Sequence, residues 1–290
     1  MQSGILVINK EKNMTSRDVV NIACKKLGTK HIGHTGTLDP IATGVLVLGV
    51  NDGCKVIDLL TSVSKVYQAE VIVGLKTDTL DITGTIEEEY NIENLEKEKV
   101  KNILKTFKGK YLQEVPKYSA IHVNGKRLYE YARENKEVEL PKREVEIFDI
   151  KLLDEIKKEK NYYSFSFIVH VSKGTYIRSL IRDIGSKLGY PCTMKNLIRI
   201  KQGNFSLEEA ISIDDIKEDK IVKIVDALQE YEKLIVDDEV AKKVENGSIL
   251  SFNTNSDMVL ILNQENDLLA IYIRYDKDTS KMKPYKVFRR

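Results

Sequence analysis

Short apolar runs and amphipathic stretches follow one another along this chain, and their periods sort it into strands and helices. "GILVIN" (4–9) reads as a short buried strand, and the branched residues of "VLVLGV" (45–50) make another. "KVYQAEVIVGLKT" (65–77) alternates in part and predicts a longer strand; "DTLDITGTIEEEY" adds a turn and one strand more. "YSAIHV" (118–123) is strand-like, "REVEIFDIKLLDEI" and "YYSFSFIVHVSK" (162–173) alternate at period two, and "LIRIKQG" (197–203) is an apolar strand with two bases.

Helical spacing fills the intervals. "MTSRDVVNIACKKLG" offers Thr15 or Ser16 as an N-cap and Gly28 as a stop. "KVIDLLTS" holds a helical turn or two, and residues 93–108 put Leu95, Val100, Ile103, Leu104 and Phe107 on one face before Gly109. "KRLYEYARE" (126–134) is helical, and "TYIRSLIRDIGSKLG" (175–189) is an amphipathic helix closed by a glycine. Strands and helices mix without a regular βαβ repeat, so the expected class is α+β with a largely antiparallel sheet and flanking helices. Helical periodicity returns at 214–230, then "DDEVAKKVENG" (237–247) and three strands, "DMVLILN", "LLAIYIRY" and "PYKVFR". The expected organisation is a main domain at 1–230 and a small β-barrel-like unit at 231–290.

Composition narrows the classes. With 42% hydrophobic and 31% charged residues the chain is an ordinary folded protein, and no apolar run approaches the roughly 20 residues of a membrane helix. The N-terminus lacks the features of a signal peptide, so a cytoplasmic location is expected. Cys24, Cys54 and Cys192 lie far apart, and the four histidines form no ligand grouping, which predicts no metal. A net charge of +2 says little about a polyanionic partner until the bases are located.

The chemistry concentrates in a few stretches. "GHTGTLDPIATGVL" (33–46) sets its one acid, Asp39, before a proline in a glycine-rich loop, where it could cap a turn or face a ligand. Tyr67 follows in the next long strand. "SKGTYIRSLIRD" (172–183) crowds Lys173, Arg178 and Arg182 at a helix start, and Arg178 falls within the apolar pattern of that helix, where an arginine needs an anion. From 118 to 146, Lys126, Arg127, Arg133, Lys142 and Arg143 interleave with Tyr118, Tyr129 and Tyr131, a mixture suited to phosphates and unpaired bases. The chain has no second carboxylate in the loop for glycosidase chemistry, no G-x-S-x-G elbow and no Walker-type loop. Spacing alone therefore leaves an RNA-binding enzyme or an RNA-binding module, with Asp39 the suspect residue.

Taken together these stretches resemble the TruB-type tRNA pseudouridine-55 synthases of bacteria. "GHTGTLDPIATGVLVLG" is similar to the family's catalytic-loop signature, "KVYQAEVIVGLKTDTLDITG" to its next motif, and "KYSAIHVNGKRLYEYAR" to its RNA-gripping segment. "VSKGTYIRSL" resembles the late motif, with Val171 where many members have cysteine, and "NLIRI" resembles the substrate-contacting strand. The motifs run in order through residues 4–203, and the C-terminal unit matches more loosely. The resemblance implies a pseudouridine-synthase-like fold with a C-terminal PUA-like β-barrel. It also implies isomerisation of uridine 55 in the TΨC loop of tRNA, with no cofactor, metal or obligate protein partner, by a monomer. Asp39 would be the nucleophile or base that starts the reaction, Arg178 its salt-bridge partner, and Tyr67 a stacking platform close enough for proton transfer. His34, Tyr176 and Leu197 would contact the RNA or the flipped base, and Lys126, Arg127 and Arg133 would grip RNA from an arm at about 124–145. A tRNA-binding or folding protein without chemistry is the alternative, which the trio Asp39, Tyr67 and Arg178 disfavours.

Overall fold

The computed structural model describes residues 2–153, 155–159 and 162–288, so the ends of the stretches predicted at 143–156 and 284–289 fall partly outside it. The first apolar run becomes β1 (Gly4–Lys10), followed by α1 (Ser16–Leu27), β2 (Ile32–His34) and β3 (Thr43–Val50). After α2 (Ile57–Thr61) come β4 (Lys65–Val73), β5 (Leu75–Thr77), β6 (Ile86–Glu89), α3 (Lys97–Lys105) and β7 (Gly109–Glu114). An arm of β8 (His122–Val123), β9 (Lys126–Arg127) and α4 (Leu128–Arg133) leads to β10 (Lys142–Leu152), β11 (Lys157–Glu159) and β12 (Tyr162–Val171). Then follow α5 (Ile177–Leu188), β13 (Cys192–Gln202), β14 (Phe205–Ser206) and α6 (Ile224–Ala227). The chain ends with β15 (Glu232–Ile235), α7 (Asp238–Glu245), β16 (Met258–Leu262), β17 (Leu268–Arg274) and β18 (Met282–Val287).

The main sheet runs β1-β3-β13-β4-β12-β10-β7. Every pairing along this path is antiparallel except β3 with β13, so the α+β expectation holds. Burial explains the two kinds of strand pattern. In β1 and β3, Leu6, Ile8, Leu46 and Leu48 pack on the helical side, while Ile5, Val7, Val45 and Val47 pack on the other. Both faces are covered, hence the unbroken apolar runs. β4 alternates because Lys65, Tyr67, Ala69, Val71 and Val73 turn inward, the last four into the helix-covered core.

Three expectations need correction. The strand predicted over 65–77 breaks at Gly74, whose φ of 98° turns β5 away to pair with β6 instead. Residues 214–230 form a 3₁₀ turn at Glu218–Lys220 and the short α6, not one helix. There the backbone of Val222 exchanges two hydrogen bonds of 2.8 Å with Ile5 on the edge of β1, and sheet pairing displaces the helical alternative. Finally, β15-β16-β17-β18 is an open four-stranded sheet and not a barrel. Its strands of four to seven residues are covered on one side by α7, through Val244, and on the other by the back of the main sheet.

Candidate active site

Asp39 sits in the loop between β2 and β3, held from behind by α1 and the end of β1. Thr15 is the N-cap, in a reciprocal capping box with Asp18. Ser16 is thereby left to brace the loop, and its hydroxyl accepts the Leu38 N–H at 2.9 Å, one residue before Asp39. On the far side the Asn13 N–H donates to the Pro40 carbonyl at 2.8 Å. Buried Lys10 donates to the carbonyls of Glu11 and Met14, with a longer contact of 3.5 Å to Pro40. Burial pulls its ammonium down to about 8, partly offset by the charge of Asp39. Gly44, the second residue of β3, then holds φ 98°, where any β-carbon would strike the Arg199 backbone of β13. The loop is fixed at both ends, which sets where its carboxylate can lie.

Arg178, the second residue of α5, meets that carboxylate with two nitrogens: Nε to Oδ2 at 2.9 Å and Nη2 to Oδ1 at 3.0 Å. The turn-capping reading of Asp39 does not hold, because among the described residues its carboxylate is hydrogen-bonded by Arg178 alone. The arginine is 6% exposed and also donates to the carbonyls of Thr79 (3.1 Å) and Tyr118 (3.0 Å). One guanidinium thus ties the Asp39 loop, the turn between β5 and β6, and the base of the arm to α5. The guanidinium is the buried member of the pair and the carboxylate is partly open to the cleft, so loss of the carboxylate leaves the more costly survivor.

Around the pair opens a cleft of about 860 Å³. Tyr67, cross-strand from Val169 and Arg199, lines it from β4, and Leu197 lines it from β13. Tyr176 closes another side. Its N–H donates to the buried Gln113 Oε1 at 2.8 Å and its carbonyl accepts from Gln113 Nε2 at 3.1 Å, so the ring at the start of α5 is clamped by β7. The Arg143 guanidinium lies 5.7 Å from that ring, and burial pushes the phenol's pKa up. A carboxylate, two tyrosine rings and an aliphatic wall can enclose a flat polar heterocycle.

Of the residues singled out in the sequence, Asp39, Tyr67, Tyr176, Arg178 and Leu197 meet in this cleft, together with Tyr118, Tyr129, Arg143 and Lys173. His34 does not line it; its Nδ1 is buried without a hydrogen-bond partner among the described residues, and burial lowers its pKa. Lys126, Arg127 and Arg133 also stand outside. Arg127 and Arg133 lie 5.9 and 5.3 Å from the ring of Tyr129, which does line the cleft, while Lys126 pairs with Glu134. Sequence reasoning named neither Lys65 nor Arg199 as a site residue, though it marked Arg199 as one of two bases in an apolar strand; both line the cleft and both are buried. The signal was present, because Lys65 is in phase with Tyr67 and Ala69, and Arg199 with Leu197, along strands whose inward face those residues mark.

The architecture has solved counterparts. A Cbf5–Nop10–Gar1 complex aligns with a TM-score of 0.71 and 24% identity over 99% of this chain and 84% of that one. An H/ACA ribonucleoprotein bound to a substrate RNA containing 2′-deoxyuridine gives 0.72 and 22% over 99% and 85%. The fold is that of the pseudouridine synthases. The family model for the N-terminal domain of TruB family pseudouridylate synthases matches residues 24–177. A protein of Bacillus subtilis (strain 168) named tRNA pseudouridine synthase B is 43% identical, covering 99% of this chain and 98% of its own length. Its namesake in Staphylococcus saprophyticus is 38% identical over 99% and 100%. The chain belongs to the TruB family of pseudouridylate synthases, which are isomerases.

Proposed function

We propose that this protein converts uridine 55 in the TΨC loop of tRNA to pseudouridine, with Asp39 opening the reaction. The observation that carries the reading is the two-point contact of Arg178 with Asp39 at the mouth of a tyrosine-lined cleft. The names of the relatives supply the substrate class. The reaction is an internal exchange: the C1′–N1 bond breaks, the base turns, C1′ bonds to C5, and the proton of C5 is released as N1 gains one. No atom is lost, so the site needs an anionic group to open the glycosidic link, a platform for a detached base and a route for one proton. Arg178 holds the Asp39 carboxylate aimed through its two-point contact. Tyr67 stacks on the extruded uracil and its hydroxyl takes part in proton transfer, while Tyr176 and Leu197 bound the pocket. The arm with Lys126, Arg127 and Arg133 closes on the RNA backbone, His34 contacts RNA outside the pocket, and residues 231–290 act as an RNA-binding unit. The enzyme works as a cytoplasmic monomer without a cofactor.

Asp39→Asn tests the reading, because the amide keeps shape but can neither attack carbon nor accept a proton at neutral pH. With enzyme in excess over an unmodified tRNA transcript, wild-type protein should place pseudouridine at position 55 and the variant should place none while binding the tRNA with similar affinity. Turnover by a preparation free of deamidated protein would remove Asp39 from the chemistry. Binding without turnover by the wild type would make the protein a tRNA binder.

A further inference from the structure

Two buried cations of the cleft have no carboxylate partner among the described residues. Arg199 is 1% exposed; its Nε donates to the Val45 carbonyl at 2.6 Å and its Nη2 to the Gly36 carbonyl at 3.1 Å. Lys65 is 7% exposed and donates to the carbonyls of Thr61 (2.7 Å) and Val63 (2.8 Å). Among the described residues neither forms an ion pair, and one N–H of Lys65 and the Nη1 group of Arg199 find no protein acceptor. That Nη1 lies 3.7 Å from where a β-carbon on Gly36 would sit, against the loop that carries Asp39. Lys173, exposed at the rim, adds a third positive charge that Lys65 feels along with Arg199. The two acids of the cleft are engaged elsewhere, Asp39 by Arg178 and Glu144 by Lys110 at 3.1 Å. Buried like charges with spare donors are costly unless an anion arrives to compensate them. Carbonyl groups anchor the two side chains but cannot neutralise them.

We propose that Lys65, Arg199 and Lys173 form a seat for one backbone phosphodiester of the RNA, at a linkage flanking the uridine presented to Asp39. The inference rests on the pseudouridine synthase reading above. Its ligand chemistry is specific: a monoanion with two free oxygens, able to accept from a lysine and a guanidinium at once. Placing that charge beside Asp39 also gives the cleft a way to hold the ribose still while the base leaves, so the seat is a positioning device and not part of the bond-making set.

A neutral-linkage scan tests it. Stem-loop RNAs carry a single methylphosphonate at each linkage from two before to two after the target uridine, the ribose on its 5′ side being 2′-O-methylated for stability. Matched controls carry the same methyl group and an ordinary phosphate. Binding is measured to wild-type protein, Lys65→Met and the exposed-site variant Lys173→Gln. One linkage should stand out, weakening wild-type binding by roughly ten- to a hundredfold, as expected for a charge-assisted contact. At that linkage the loss should shrink in Lys65→Met and in Lys173→Gln, the coupling of a shared contact. A flat scan with wild-type protein overturns the proposal without recourse to any variant, as does a loss that simply adds to those of the variants. Inorganic phosphate at constant ionic strength should compete less than twofold. Strong competition together with a flat scan would assign the seat to free phosphate and refute its role with RNA. Pseudouridine mapping on the unmodified stem-loop accompanies the scan, so failure of the enzymatic reading is seen separately from failure of the seat.

Discussion

Asp39 and Tyr67 bring different atoms to the same cleft, and substitutions can separate them. Tyr67 is buried in the helix-side core as well as lining the cleft, so its ring is both platform and packing. Tyr67→Phe retains the ring; tRNA affinity should stay within about twofold while the single-turnover rate falls, because stacking is worth ~1–3 kcal/mol per base and the hydroxyl adds little to it. Tyr67→Ala should lose both. An unchanged rate for the phenylalanine variant would take the phenol out of proton transfer. Lys65 makes a second prediction at this scale. Burial, then the charges of Arg199 and Lys173, pull its ammonium down to about 8. The sign follows directly: an anion favours the protonated amine, so binding takes up a proton once the free site has lost it. Affinity for RNA should therefore hold up to about pH 7.5 and fall as pH rises through 8. Lys65→Arg, which stays charged, should remove that part of the fall when Kd is compared between pH 7 and pH 9. Parallel curves for the two proteins would show that Lys65 does not carry the dependence.

Elements were legible where local pattern and tertiary demand agreed. The helix closed at Gly28, the apolar β3 and the glycine-stopped α5 all formed as the periods indicate. Disagreement arose where backbone partners came from far away. The apolar positions of 214–230 do turn inward, as Ile216, Ile221, Ile224 and Leu228 are buried, but the β1 edge supplied hydrogen bonds that a helix would have had to forgo. Site residues followed the same rule. Arg178 betrayed itself by sitting in an apolar helical phase; Lys65 and Arg199 sat in phase on strands too, where a single base looks like an ordinary solvated position until the strand's inward side is known. Gly44 carries the element-scale prediction. It joins β3 to β13 in the sole parallel pairing along the main path of the central sheet, with its α-carbon against the Arg199 backbone. Gly44→Ala must both hold φ near 98° and displace that backbone, so the variant should lose more than about 2 kcal/mol in urea unfolding. Since Arg199 and the Asp39 loop move with it, turnover should drop as well. Wild-type stability would mean that the strands can separate there at no cost.

At the scale of the molecule, the final sheet and the main sheet are joined by a common core. Ile5, Val7, Val45 and Val47 from the back of β1 and β3 pack in one cluster with Leu260, Leu262, Ile271 and Phe288. Each such side chain contributes roughly 1.5–3 kcal/mol when buried, so the four from the C-terminal unit amount to a total comparable with the 5–15 kcal/mol that keeps a typical protein folded. The unit beyond residue 230 is thus built into the stability of the sheet that holds Asp39, whatever it also does for RNA. The two parts should melt together. Leu262→Ala, far from the cleft, should cost about 2–5 kcal/mol and lower a single transition by roughly 5–10 °C. Its pseudouridine single-turnover rate at 25 °C should remain near that of wild type. Differential scanning calorimetry decides the matter: a second transition in the wild type, or a Leu262→Ala scan in which only a minor part of the heat shifts, would show two independently folding units. A chain cut at 230 would then be expected to fold and turn over alone; under the shared core it should aggregate or unfold, with its apolar back face left to water.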